Sequence, residues 1–168
     1  MIVRKDILER ADANELKKRG LPPPPIVFDY LTTIQNNSLY NTLPIFSLHI
    51  ADLVFQHLLS LGGIEAQQAR NEKKAKIVYS LLEQGEKEGK LDLVVAPGVR
   101  SRMNVPFRFK TKEIDADFIK EAEKRGMMQL KGHRSVGGVR ASLYNAITPE
   151  NAGTFAAFLS EYLGKLRI

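Results

Sequence analysis

Between Lys131 and Arg140 the sequence reads Lys-Gly-His-Arg-Ser-Val-Gly-Gly-Val-Arg. One imidazole and two guanidinium groups are set among glycines, which let a backbone bend sharply and approach a ligand closely. Arginine suits planar, bidentate recognition of carboxylate or phosphate, so His133, Arg134 and Arg140 together suit an anion charged at both ends. A solvated basic loop has the same composition, and residue types alone leave both readings open. No Lys-Ser/Thr pair closes the run, so a nucleotide phosphate loop is unsupported.

A second candidate is Asn37-Ser38-Leu39-Tyr40-Asn41-Thr42. Its amides and hydroxyls, set before a helix start, can donate to a phosphate alongside free backbone N–H groups. Plain turn chemistry accounts for the same residues. His49 and His57 stand eight apart, more than two helical turns, so they share no metal geometry and read as structural. Asp115 and Asp117, and Glu83, Glu86 and Glu88, read as solvated charge. The basic clusters Lys17-Lys18-Arg19 and Lys73-Lys74-Lys76 lack the interleaved aromatics of a stacking surface for single strands.

These residues need elements to hold them. Ile2-Val3 reads as the end of a strand. Pro22 to Pro25 reads as a stiff extended connector feeding a strand over Ile26–Tyr30. Ser47 is placed to cap an apolar helix over Leu48–Leu61, deeply buried or at an interface and ended by Gly62-Gly63. A more polar helix follows over Ile64–Gln84, with Ile64, Ala75, Val78, Leu81 and Leu82 toward a core. Strands are predicted over Leu91–Val95, at Met103–Phe109 with period-two alternation, over Met127–Leu130 and over Ala141–Asn145. Helices are predicted around Phe118–Ala122, ending at Gly126, and after Thr148, with Pro149 at the first position and Phe155, Phe158, Leu159 and Tyr162 inward. The fold class is therefore α/β in the broad sense, an α+β small domain with helices on one face of a small, mostly antiparallel sheet. The domain boundary is expected at Gly62-Gly63, giving 1–62 and 63–168.

The chain of 168 residues is 43% hydrophobic and 26% charged, too apolar for a disordered tail. The Leu48–Leu61 stretch is interrupted by His49, Asp52, Gln56, His57 and Ser60, which excludes burial in hydrocarbon. A net charge of +6 permits anionic ligands without choosing among them. With no cysteine there is no disulfide, no thiol nucleophile and no thiolate metal site. The first ten residues carry charge where a signal peptide needs its apolar core, so a cytoplasmic location is expected.

The segment Ser101-Arg102-Met103-Asn104-Val105-Pro106-Phe107, then Gly132 through Ala146, resembles the phosphoserine aminotransferases. The run Asn36 to Thr42 fits the same family, and the three blocks fall in its order. The family commonly has two prolines after Asn-Thr, where this chain has Leu43-Pro44.

The resemblance implies the C-terminal portion of a fold type I pyridoxal-phosphate enzyme: the tail of the large cofactor-binding domain (1–62) and the small domain (63–168). It implies amino transfer between glutamate and 3-phosphohydroxypyruvate in serine biosynthesis, in a cytoplasmic homodimer with neither nucleic acid nor membrane as partner. Carried over by motif, His133 and Arg134 hold the substrate phosphate and Arg140 its carboxylate, while Asn41 and Thr42 reach the cofactor phosphate of the other subunit. The Schiff-base lysine of the family is expected before Met1, so no catalytic residue is assigned and this chain alone is expected to be inactive. The alternatives are one half of a split enzyme, a non-catalytic binding module for phosphorylated acids, and a basic nucleic-acid binder.

Overall fold

Prolines punctuate the first fifty residues into short segments, and apolar side chains there, Val27, Phe28, Leu39 and Phe46 among them, stay exposed. In the computed structural model, which describes residues 3–10 and 12–166, the chain divides into two compact units, Met1–Val54 and Phe55–Ile168. The division falls inside a helix, ahead of the Gly62-Gly63 pair.

The first unit holds α1 (Lys5–Arg10), α2 (Ala13–Lys18), a 3-10 turn (Ile26–Phe28), α3 (Tyr30–Gln35) and the start of α4 (Ile45–Ser60). None of its described side chains is buried. Helix α2 starts at Asp12, whose carboxylate accepts from the backbone N–H of Asn14 at 2.9 Å, as an N-cap does. The strand expected over Ile26–Tyr30 is absent: those residues turn into α3, because Asp29 caps it by accepting from Leu31 N at 3.0 Å and Thr32 Oγ1 at 2.6 Å. The strand expected at Ile2-Val3 falls partly outside the described residues, and Val3 is irregular.

Helix α4 starts three residues earlier than its polar signal suggests. Leu48 N donates to the carbonyl of Pro44 at 3.0 Å, so Ser47 lies within the first turn. Its apolar side chains are exposed along its length, Phe46 at 78% and Leu59 at 71%, and so are His49 and His57. No single helix among the described residues is long and apolar enough to cross a membrane.

The second unit continues with α5 (Gly63–Lys87), β1 (Leu91–Leu93), a 3-10 turn (Pro97–Val99), β2 (Asn104–Phe109), α6 (Lys112–Lys124), β3 (Val139–Ser142) and α7 (Pro149–Lys165). The strands form one antiparallel sheet in the order β1-β2-β3. Alternation along β2 buries Val105, Phe107 and Phe109, and their partners across the ladders, Leu91, Val139 and Ala141, are buried with them. This face meets α5 through Val78 and Leu82, α6 through Phe118, and α7 through Phe158 and Leu159. The Phe118 ring packs 5.0 Å from both Phe158 and Tyr162, and edge-on to Phe107 at 5.8 Å. Offset and edge-on aromatic pairs of this kind add to the area they bury.

The outer face of the sheet is polar, with Asn104 opposite Ser142 and Pro106 opposite Arg140. Met127–Leu130 is not a strand. It runs beside β3 through Arg140 N to the Leu130 carbonyl (2.8 Å) and one bridge, Lys131 to Val139, but Gln129 takes φ of 63°, which breaks extended geometry. Ile64 also departs from its expected place, being exposed.

Candidate functional site

The glycine-rich run closes a hairpin onto β3. Gly132 N donates to the Gly138 carbonyl at 2.9 Å, and the His133 carbonyl accepts from Val136 N at 2.9 Å and Gly137 N at 2.8 Å. Two glycines make this closure possible. A Cβ on Gly132 would sit 2.0 Å from the Gly137 carbonyl oxygen, and one on Gly138, at φ 71°, would sit 2.6 Å from that of Phe107.

The hairpin presents His133 and Arg134 to solvent. His133 Nδ1 lies 2.7 Å from Ser135 Oγ and accepts from Ser135 N at 3.3 Å. A nitrogen that accepts from a backbone N–H carries no proton of its own, so the neutral tautomer has its proton on Nε2, which remains available as a donor. Arg134 forms no ion pair or hydrogen bond with the described residues.

Both side chains line a groove of about 450 Å³ that also includes Arg108, Lys110 and Lys131. Its one carboxylate, Asp115, is buried and accepts from Phe109 N at 2.8 Å. Burial pushes the Asp115 carboxyl up, partly offset by that hydrogen bond and by the charge of Arg108.

Arg140, half-buried on β3, lines a different depression, of about 590 Å³, with Ser142, Tyr144 and Asn151. Its Nε is buried with no hydrogen-bond partner. A buried polar atom left unpaired is costly, and its usual explanation is a missing ligand or water. Three other arginines of this unit are engaged: Arg100 with Glu83 at 2.5 Å, Arg102 with Glu72 at 3.3 Å, Arg125 with Glu161 at 2.6 Å. The structure thus brings His133 and Arg134 together in one groove and places Arg140 in another.

Asn41 and Thr42 belong to the first unit. They are exposed on irregular backbone after a turn in which Asn37 and Ser38 take φ of 50° and 65°, and neither side chain has a hydrogen bond within the described chain. A neutral amide and a hydroxyl fit the phosphate end of pyridoxal phosphate as donors. They supply neither a covalent anchor nor a partner for its ring nitrogen.

The residues most deeply tied to the site region carry no motif. On α5, Gln67, Asn71 and Lys74 are buried and grip the loop between β3 and α7. Asn71 Nδ2 donates to Asn145 Oδ1 at 3.0 Å, and Lys74 Nζ donates to the carbonyls of Leu143 (3.0 Å), Tyr144 (2.9 Å) and Ile147 (2.8 Å). Lys74, read from sequence as one of a basic cluster, is fully buried. Its spacing from Asn71 and Val78, three back and four on, is the helical signal that puts it on the inward face. Among the described residues no group of three or more acidic or histidine side chains is placed to hold a metal.

Three helices thus lie on one face of a three-stranded antiparallel sheet, with a cationic glycine hairpin closing on its edge strand. The chain aligns over 167 residues with the phosphoserine aminotransferase of Saccharomyces cerevisiae at 48% identity, covering 98% of this chain and 42% of the relative. The Burkholderia ambifaria enzyme is 43% identical over 162 residues. Among solved structures, a phosphoserine aminotransferase studied for radiation damage to its Schiff base superposes with a TM-score of 0.79 at 35% identity, over 87% of this chain and 40% of that one. The enzyme of Bacillus circulans subsp. alkalophilus gives 0.76 at 39%, over 84% of this chain and 38% of that one. A pyridoxal-phosphate-bound enzyme from Trichomonas vaginalis gives 0.72 at 36%, over 81% and 38%. No family model matches the chain. The chain belongs to the phosphoserine aminotransferase family, and it spans about two-fifths of the length of the relatives it matches.

Proposed function

We propose that this chain is the C-terminal, substrate-anion-binding portion of a phosphoserine aminotransferase, which exchanges an amino group between glutamate and 3-phosphohydroxypyruvate to give 2-oxoglutarate and 3-phosphoserine. In this reading residues 1–62 are the tail of the large domain and 63–168 the small domain. The observation that carries the reading is a pair of uncommitted cationic places in one unit: the buried, unpartnered Nε of Arg140 in one depression and Arg134, free of carboxylates, in another.

Arg140 takes the substrate carboxylate, His133 donates through Nε2 to the phosphate, and Arg134 neutralises it. Charge-assisted hydrogen bonds to such groups are worth about 1.5–3 kcal/mol each, and holding the substrate at both ends orients its reacting carbon. Asn41 and Thr42 donate to the cofactor phosphate of a partner subunit. When bound, pyridoxal phosphate supplies the electron-withdrawing ring on which amino transfer depends. No residue of this chain is assigned the covalent anchor, so the chain by itself does not turn over substrate. The exposed apolar side chains of α4 are covered by protein in the assembled cytoplasmic homodimer, as an apolar patch of that extent requires.

Titration with O-phosphoserine against serine tests the reading. Preference for the phosphorylated ligand, lost in Arg134→Gln, and weakened binding of both ligands in Arg140→Gln are expected. Equal affinity for the two ligands in the unsubstituted chain overturns the reading. Transaminase turnover by the purified chain removes the claim that it is catalytically incomplete.

A further inference from the structure

The cationic groove contains a residue that the binding motif does not. Arg108 is on β2, just past the first motif block, which ends at Phe107, and outside the hairpin block. It faces away from the core, since Phe107 and Phe109 on either side are buried while Arg108 is exposed. The hairpin is pressed against it: the absent Cβ of Gly138 would lie 3.1 Å from Arg108 Cβ. Only glycine at 138 lets the chain carrying His133 and Arg134 come this close to the strand carrying Arg108.

Charge at this end of the sheet is unbalanced. Neither Arg108 nor Arg134 has a carboxylate within ion-pair distance among the described residues, whereas Arg100, Arg102 and Arg125 of the same unit each do. Lys110, also in the groove, is committed to Asp92 at 2.7 Å. Asp115 feels the charge of Arg108, but it is buried, holds Phe109 N and forms no ion pair with either guanidinium. Two guanidinium groups without an ion-pair partner and an imidazole donor, lining about 450 Å³ from two separate elements, suit one compact dianion better than a singly charged carboxylate, even with Asp92 opposite Arg108 across the ladder.

We infer that Arg108 is a further phosphate-binding residue of the His133–Arg134 groove, selecting a dianionic phosphate monoester over a carboxylate. The inference rests on the proposed assignment of that groove to the substrate phosphate and adds a specificity-determining residue from β2. The hairpin gives the groove its donors, and Arg108 closes it from the side of the strand.

The test is a titration of the full chain with inorganic phosphate and with O-phosphoserine, followed by backbone amide shifts of Gly132, Gly137 and Gly138. It is repeated in Arg108→Gln, Arg134→Gln and Arg108→Lys. Expected are shifts in the unsubstituted chain, about tenfold weaker affinity for both phosphates in Arg108→Gln, and partial recovery in Arg108→Lys. Glutamate affinity should not change. Arg108 is an exposed strand residue, so the melting temperature of Arg108→Gln should match that of the parent and serves as the fold control. Weakening in Arg134→Gln alone, with Arg108→Gln unchanged, overturns the inference and leaves the groove assignment standing. Absence of phosphate shifts in the unsubstituted chain overturns both. Equal loss of phosphate and glutamate binding in Arg108→Gln also overturns it, because the residue would then act on charge in general and not on the phosphate.

Discussion

The ammonium of Lys74 donates to the carbonyl oxygen of Ile147 at 2.8 Å, and its other two protons go to the carbonyls of Leu143 and Tyr144. Three acceptors use three N–H groups, which only the charged form possesses, even though burial pushes this lysine below its ordinary range. The residue therefore acts as a clamp on the loop that joins β3, the strand of Arg140, to α7.

Lys74→Met should cost about 3 kcal/mol, because the apolar side chain fills the space and leaves buried carbonyls without donors. The urea midpoint of unfolding reads this directly. A loss under about 1 kcal/mol would show that the loop finds other donors without opening.

Gly132→Ala should break the hairpin, since no rearrangement of a side chain relieves a Cβ placed 2.0 Å from a backbone oxygen. Faster exchange of the Gly132 amide proton and loss of phosphate binding are expected, at a stability cost of about 1–3 kcal/mol. Retained protection of that amide would mean the turn tolerates a side chain.

Glu161 is held at a pKa of about 2, against an ordinary 4.5, by Arg125 and then Lys165. A carboxylate with a lowered folded-state pKa contributes stability that is fully present above the unfolded value and is lost as pH falls through the folded one. The melting temperature of the parent should therefore exceed that of Glu161→Gln at pH 6, and the difference should shrink between about pH 4.5 and about pH 2. Added salt should shrink it as well, because the groups are exposed. A difference independent of pH would falsify the ion-pair account.

Phe118→Ala should cost about 3–5 kcal/mol. Its ring is fully buried and touches Phe107, Phe109, Phe155, Phe158 and Tyr162, so truncation leaves a cavity at the meeting point of β2, α6 and α7. Chemical denaturation measures it. A small loss would mean that the neighbouring rings close over the gap.

The second unit was largely legible from periodicity. Alternation at Val105, Phe107 and Phe109 marked β2, and Thr148-Pro149 marked the start of α7, where a full capping box forms with Asn151. The first unit was not. Ile26-Val27-Phe28 has strand composition but pairs with no strand among the described residues, and the capping carboxylate of Asp29 decides for helix. Met127–Leu130 failed for a local reason, the left-handed Gln129. His133, Arg134 and Arg140 drew notice by residue type, which did not show that the fold sets Arg140 apart from the other two. Lys74 drew none, since what distinguishes it is the set of carbonyls that the fold supplies to its ammonium.

One edge of the sheet has a consequence for solubility. Strand β1 is three residues long, its Asp92 is bound to Lys110, and the Leu93 N–H is taken by Glu86 Oε1 at 2.8 Å. A strand from another molecule approaching that side meets a short, charged border whose donor is already occupied. Strand addition there is disfavoured, and ordered aggregation by sheet extension is resisted at that border without any residue dedicated to the purpose.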